Sequence, residues 1–470
     1  MAAGIAFDRA GLDDFLLLEK AGDVGGTWRD NRYPGACCDV PSHLYCFSFE
    51  PNPEWSRRFA PSEEIHAYQH HVMHEYDLCD RSRGGFEVVT AHWRDGGWSL
   101  VSRDGQNLRV RYLVSAVGAL HLPHKPCLPG LDRFEGKVMH SAEWDPRYDT
   151  TGRRVIVVGS AASAIQIVPK VAETAQQVTV MQRSPNWILP RRDRGYGSFE
   201  RGLLRQLPWL QKLYRWRQYQ VNDLLFRANF SRRRSLRKRY VHRLARRHLE
   251  RSVADPGLRR KLTPTYAVGC KRVLLSDDYL PALQRDNVEL DTESIDRFTS
   301  TGLETSGGRE IPADLVVLAT GFQSTRLFGD IAVSGPDGLT VDQAWSEGIR
   351  AHRSVALKGF PNLFMMYGPN SNLGHSSILV MLEAQAAYLA RLLRHAREKE
   401  ADRIEVKPDA EEAWNRYIGD GLESTVWTAD CDSWYKDEAG RVFSLWPYST
   451  RRFARDLRDA PLEEYRFDRS

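Results

Sequence analysis

Apolar positions fall into three kinds of run along this chain. Arg154-Val155-Ile156-Val157-Val158 is uninterrupted after its first residue, as in a parallel strand covered on both faces. A turn, Gly159-Ser160-Ala161-Ala162-Ser163-Ala164, follows; then a helical stretch from Ala164 to Val171 and a second apolar strand from Val178 to Met181 complete a βαβ unit. Asp13 to Lys20 is a shorter apolar run ending in an acid, and Met1 to Ala10 before it reads as the end of a helix, together the second half of another such unit. Tyr112 to Gly118 and Asp314 to Phe322 are apolar runs that end at a glycine, the form of a strand entering a turn. Between Ser198 and Arg260 the period changes: Leu210, Leu213, Val221, Leu224 and Leu225 recur at helical spacing, which predicts an amphipathic helical insertion. Another helix is expected from Leu379.

Length and charge narrow the class. Single cores stop growing at roughly 250 to 300 residues, so 470 residues predict two or three lobes. Hydrophobic residues make up 42% and charged residues 27%, and no apolar run approaches the ~18 residues a bilayer span needs, which excludes a transmembrane protein. The net charge of +5 is too small to argue for nucleic acid. Positive charge is concentrated between Arg191 and Arg272, with clusters at Arg232-Arg233-Arg234 and Arg237-Lys238-Arg239. A solvated helix face is the expected role of these clusters, and contact with nucleic-acid phosphates or weak contact with an anionic membrane surface are the alternatives. The seven cysteines form no Cys-x-x-Cys pair, and no basic, apolar leader opens the chain, so the expected location is a reducing cytoplasm. No His, Cys and carboxylate cluster has the spacing of a metal site, and none is expected.

Two nucleotide sites follow from the βαβ patterns. An acid closing the second strand accepts hydrogen bonds from ribose, about 20 residues beyond the glycine-rich turn that holds the pyrophosphate. Glu19 is that acid, and counting back from it passes Met1, so the chain as written is expected to start after its first glycine turn and to grip a first dinucleotide less firmly. The second unit has its turn at Gly159, although Ala161 stands at the middle glycine position. Its second strand ends in Gln182-Arg183-Ser184 rather than an acid; an arginine there pairs with the 2′-phosphate of NADPH.

Gly25-Gly26-Thr27-Trp28 through Phe/Tyr-position Tyr33, Pro34, Gly35 and Asp39 fill one long motif, and Phe134, Gly136, His140, Trp144 and Asp145 fill the pattern Phe-x-Gly-x-x-x-His-x-x-x-Trp-Pro/Asp. With Tyr266 to Leu275 and Ala319-Thr320-Gly321, these resemble the type I Baeyer-Villiger monooxygenases, class B flavoproteins, from Asp13 to about Pro447. The resemblance implies an α/β fold of two Rossmann-like dinucleotide-binding domains, for FAD and NADPH, with a helical insertion. It divides the chain into an FAD domain over 1–148 and 329–470, an NADPH domain over 149–195 and 263–328, and the basic insertion over 196–262. The implied reaction inserts one oxygen atom of O2 beside a ketone carbonyl, by way of a peroxyflavin, to give an ester or lactone.

Arg272 is then the catalytic arginine and Asp39 the carboxylate that orients it. FAD is implied to meet Glu19, Thr27, Trp28, Asp39, Tyr45, Val88 and Ile378; NADPH is implied to meet Cys37, Cys38, Gly159, Ser160, Ala161, Ser163, Ala164, Gln166, Arg183, Ser184, Lys271 and Arg272. His140 is expected to link lobes rather than transfer protons, and His43 and His375 to be structural. Oxygenation of nitrogen or sulfur, and a non-catalytic nucleotide-binding protein, remain as alternatives; the ketone and the oligomeric state are left open.

Overall fold

The computed structural model describes residues 1–233, 235–428 and 433–469, without the side chains of residues 225, 226, 228 and 229. Arg234 of the first basic cluster and the side chain of Leu225 therefore lie outside the described residues.

A five-stranded parallel sheet organises the middle of the chain. Its strands are β1 (Lys137–His140), β2 (Arg154–Val158), β3 (Gln177–Met181), β4 (Val288–Asp291) and β5 (Leu315–Leu318), in the order β4-β3-β2-β5-β1. Val155 pairs with both Val178 and Leu315, so β2 is central and its apolar run is covered on both faces. The crossover from β2 to β3 is α1 (Ala164–Val171), which buries Ile165, Ile167, Val168 and Val171.

The other lobe is assembled from both ends of the chain. Leu17–Leu18 pairs in parallel with Ser82–Arg83, and Leu113–Ser115 with Leu363–Met365, as two separate two-stranded sheets. The run from Asp13 to Lys20 thus yields a strand of only two residues, because its one neighbour offers two. Leu16 is exposed, and Leu17 and Leu18 are half-buried. Helix Ala2–Arg9 lies where the end of a helix is expected. A long helix, Ile378–Glu398, carries Met381, Leu389, Leu392 and Ala396 into a core shared with Trp414, Trp446 and Phe453. Ser377 caps its start, the Oγ accepting from the Leu379 amide at 3.3 Å.

The insertion folds as α2 (Ser198–Gln206), α3 (Pro208–Val221), α4 (Leu236–Ser252) and α5 (Pro256–Lys261). Here helical spacing misidentified the inward face: Leu213, Val221 and Leu224 are exposed, whereas Gln211, Gln218 and Asp223 are buried. Gln211 bonds the His43 ring, and Asp223 takes the Thr450 amide, so hydrogen bonds hold part of the inner face, beside buried Leu204, Val241 and Ala245. No helix among the described residues is long and apolar enough to cross a membrane.

Candidate active site

The glycine motif at Gly25 and the turn after β2 meet at one point. Tyr33 Oη donates to Gln166 Oε1 on α1 at 2.9 Å, and Gln166 Nε2 donates to the Cys37 carbonyl at 3.1 Å. A Cβ on Gly35 would stand 2.7 Å from the Gln166 carbonyl, so glycine here lets the two lobes close. A side-chain bridge of this kind has no signature in sequence.

Asp39 follows directly on this contact, and Arg272 reaches it from the other lobe, 233 positions away. Its Nε donates to Asp39 Oδ2 at 3.0 Å and its second terminal nitrogen to the same oxygen at 2.5 Å. Side-chain exposures of 30% for Arg272 and 28% for Asp39 place the pair partly in the open cavity. The Asp39 charge raises the arginine above its ordinary pKa against the opposing effect of burial, so the guanidinium is a permanent cation. Tyr367 and Tyr435 feel that charge; burial nonetheless dominates and pushes the Tyr435 hydroxyl up to about 12.

Trp28 Nε1 donates to Tyr45 Oη at 3.0 Å, with the rings edge to face at 5.5 Å. Burial holds the Tyr45 phenol protonated. Glu19 accepts from its own loop, the Ala21 amide at 3.0 Å and Arg29 at 3.2 Å.

On the other side, Lys271 Nζ donates to Ser184 Oγ at 3.2 Å, which sets an ammonium beside exposed Arg183. Ser160 Oγ donates to the Ser184 carbonyl at 3.2 Å, tying the turn after β2 to the end of β3. Gly159 has φ +115°, and a Cβ there would meet the Ala319 carbonyl oxygen at 2.5 Å. The turn therefore requires glycine, and Ala161 stands exposed on the wall.

One cavity of about 2630 Å³ takes in both halves: Glu19, Thr27, Trp28, Cys37, Cys38, Asp39, Tyr45, Val88 and Ile378 from one lobe, and Gly159, Ser160, Ala161, Ser163, Gln166, Arg183, Ser184, Lys271 and Arg272 from the other. A site for one drug-sized ligand needs roughly 300–1,000 Å³, so the space fits two dinucleotides. Ala164 is the exception among the expected contacts. It is fully buried against the sheet, where its small side chain lets α1 pack close to β2 instead of touching a ligand.

The second motif is structural in its contacts. Phe134 packs on Phe298 at 6.2 Å, and a Cβ on Gly136 would collide with the Phe134 ring at 2.4 Å. His140 is buried at the end of β1; its Nδ1 accepts from the Ala142 amide at 3.1 Å and its Nε2 donates to the Gly321 carbonyl at 3.0 Å. That bonding uses the neutral ring, and burial lowers its pKa. Trp144 is buried, and Asp145 accepts from the Arg147 amide at 3.1 Å. His375 bonds buried Asp223 at 3.3 Å.

One grouping escaped the sequence. Asp23, His66 and His70 bring three donor atoms within 4.8 Å of one another, an arrangement able to ligate a metal ion. Asp23 lies 47 positions from His70, and in this state the His70 ring is hydrogen-bonded to its carboxylate at 3.2 Å. Among the described residues five cysteines are free, while Cys270, next to Lys271, is disulfide-bonded, unlike the fully reduced set expected.

Residues 10–333 match the flavin-binding monooxygenase-like family. The chain belongs to this family. Within it, the chain is 41% identical to a Baeyer-Villiger monooxygenase of Streptomyces coelicolor, covering 99% of this chain and 90% of the relative. A Baeyer-Villiger monooxygenase of Pseudomonas aeruginosa is 40% identical, over 96% and 86%. Among solved structures, cyclohexanone monooxygenase from Rhodococcus sp. Phi1 bound to NADP+ superposes with a TM-score of 0.89 at 26% identity, covering 100% of this chain and 97% of that one. Steroid monooxygenase bound to NADP gives 0.87 at 27%, with the same coverage. This flavin-binding monooxygenase thus shares the two-lobed α/β fold of those enzymes.

Proposed function

We propose that this chain is an FAD- and NADPH-dependent monooxygenase that inserts one oxygen atom from O2 beside a ketone carbonyl, giving an ester or lactone. The observation that carries this reading is the Asp39–Arg272 pair, a cation supplied by one lobe and fixed by a carboxylate of the other on the wall of a single cavity. When bound, NADPH supplies the hydride and FAD the oxygen-activating chemistry.

Arg272 contributes a fixed charge where negative charge develops on the ketone oxygen. Arginine cannot lose its proton at working pH, so it stabilises charge and relays none. Asp39 holds the fork of the guanidinium from one side through a single oxygen, which leaves its remaining N–H groups for the reacting atoms. Trp28 and Tyr45, locked to each other, form the flavin-side wall. Lys271 and Arg183 form a pair of cations for the 2′-phosphate that distinguishes NADPH.

The domain limits proposed from sequence are retained: 1–148 with 329–470 for FAD, 149–195 with 263–328 for NADPH, and 196–262 as the insertion. Arg272→Ala is the test. It should abolish ester formation from a ketone while the protein still binds flavin, and a variant that keeps normal turnover refutes the assignment.

A further inference from the structure

We propose that the outer face of the helical insertion binds the surface of an anionic lipid bilayer. Charge is the first observation. Ser198 to Ser252 carries sixteen Lys or Arg against three Asp or Glu, in a chain whose net charge is only +5. Two of the three acids already have partners: Glu200 pairs with Arg194 at 2.7 Å, and buried Asp223 bonds Thr450. The solvent side of the insertion is therefore strongly cationic.

The second observation is an inverted helix. On α3, Trp209, Leu213 and Trp216 follow at steps of four and three, so they form one stripe, and Leu224 continues it beyond the helix end. Trp209 is 61% exposed and Trp216 57%. The opposite side of α3 carries Gln211, Arg215 and Gln218. Arg215 donates to the carbonyls of His43, Leu44 and Cys46 at 2.8–3.1 Å. Polar residues thus face the protein and apolar residues face out, the reverse of a helix packed for water. Leu236, 74% exposed, and Tyr240 add a second patch one turn apart on α4. Arg237 joins the two patches by donating to the Leu224 carbonyl at 3.1 Å.

Tryptophan and leucine among Lys212, Arg217 and Arg239 match the chemistry of a lipid interface: apolar side chains enter the acyl boundary while cations meet headgroup phosphates. A nucleic acid would use the cations and aromatics, but would leave the leucines without a role. The docked side of α3 holds the loop that carries Tyr45, so lipid binding would occur about one helix diameter, roughly 10 Å, from the cavity wall.

The test is sedimentation of the full-length, FAD-loaded protein with vesicles of phosphatidylglycerol and phosphatidylcholine, or of phosphatidylcholine alone. Binding to the anionic vesicles only is expected, weakening with salt. Trp209→Ser combined with Trp216→Ser should lower partition by about tenfold or more, with unchanged circular dichroism and unchanged turnover of a water-soluble substrate. Arg416→Gln, the loss of one positive charge on another surface, should leave partition unaltered. No sedimentation with anionic vesicles overturns the proposal. So does binding indifferent to the double substitution, self-association through this face, or binding to an oligonucleotide in preference to vesicles.

Discussion

Replacing Asp39 by Asn removes the charge that fixes Arg272 while keeping an oxygen of similar shape. In the structure that carboxylate accepts two hydrogen bonds from the guanidinium, at 3.0 and 2.5 Å, with less than a third of either side chain exposed. Charge-assisted hydrogen bonds contribute about 1.5 to 3 kcal/mol each. Partial exposure favours the low end, which gives about 3 kcal/mol for the positioning of Arg272. At 1.36 kcal/mol per tenfold in rate, that corresponds to a loss of about 10²-fold in kcat for ester formation. The assay measures ester by chromatography beside NADPH consumption. Product should fall about 10²-fold while NADPH oxidation continues, the reducing equivalents appearing as hydrogen peroxide. Arg272→Ala and the Asp39→Asn, Arg272→Ala double variant should be equally inactive, because the carboxylate acts through the arginine. Ester formation within twofold of wild type in Asp39→Asn would refute this reasoning.

Arg183→Ala should raise the KM for NADPH far more than that for NADH, and equal effects on both would remove Arg183 from the 2′-phosphate site. Gly159→Ala forces a side chain into φ +115° and against the Ala319 carbonyl; a loss of about 1 to 3 kcal/mol is expected, seen as a lower Tm and weaker NADP+ binding, and an unchanged Tm would contradict it. Glu464 is partly buried, which alone would raise its pKa, yet hydrogen bonds from His352 and Arg353 bring it from 4.5 down to about 2. Its folded pKa lies below its unfolded one, so it contributes up to about 3 kcal/mol above pH 4.5, and this is lost as pH falls from there toward 2. Thermal unfolding followed across that window should fall more steeply in wild type than in Glu464→Gln, and parallel curves would reject the role.

The second βαβ unit was legible in full because its strands are buried on both faces and its turn is local. Arg154 to Val158, Ala164 to Val171 and the strand ending at Met181 all lie where periodicity places them. The Asp39–Arg272 pair was legible only through the motifs around each residue, since 233 intervening positions hide any spacing signal. Ala164 was misread because a fingerprint position that supports close helix packing looks the same, in sequence, as one that touches a ligand. The orientation of α3 was not legible either. Helical period locates a stripe and cannot say which side faces the protein when Gln211, Arg215 and Asp223 find buried partners supplied by distant loops. The Tyr33–Gln166–Cys37 bridge and the meeting of Asp23 with His66 and His70 depend likewise on tertiary placement alone.

The most direct test supplies the purified protein with FAD, NADPH, a ketone and isotopically heavy O2, and analyses the product by mass spectrometry. The account predicts an ester or lactone carrying one heavy oxygen atom, absent when Arg272 is alanine. NADPH consumption that yields only hydrogen peroxide with wild-type protein, or equal ester formation by Arg272→Ala, would contradict it.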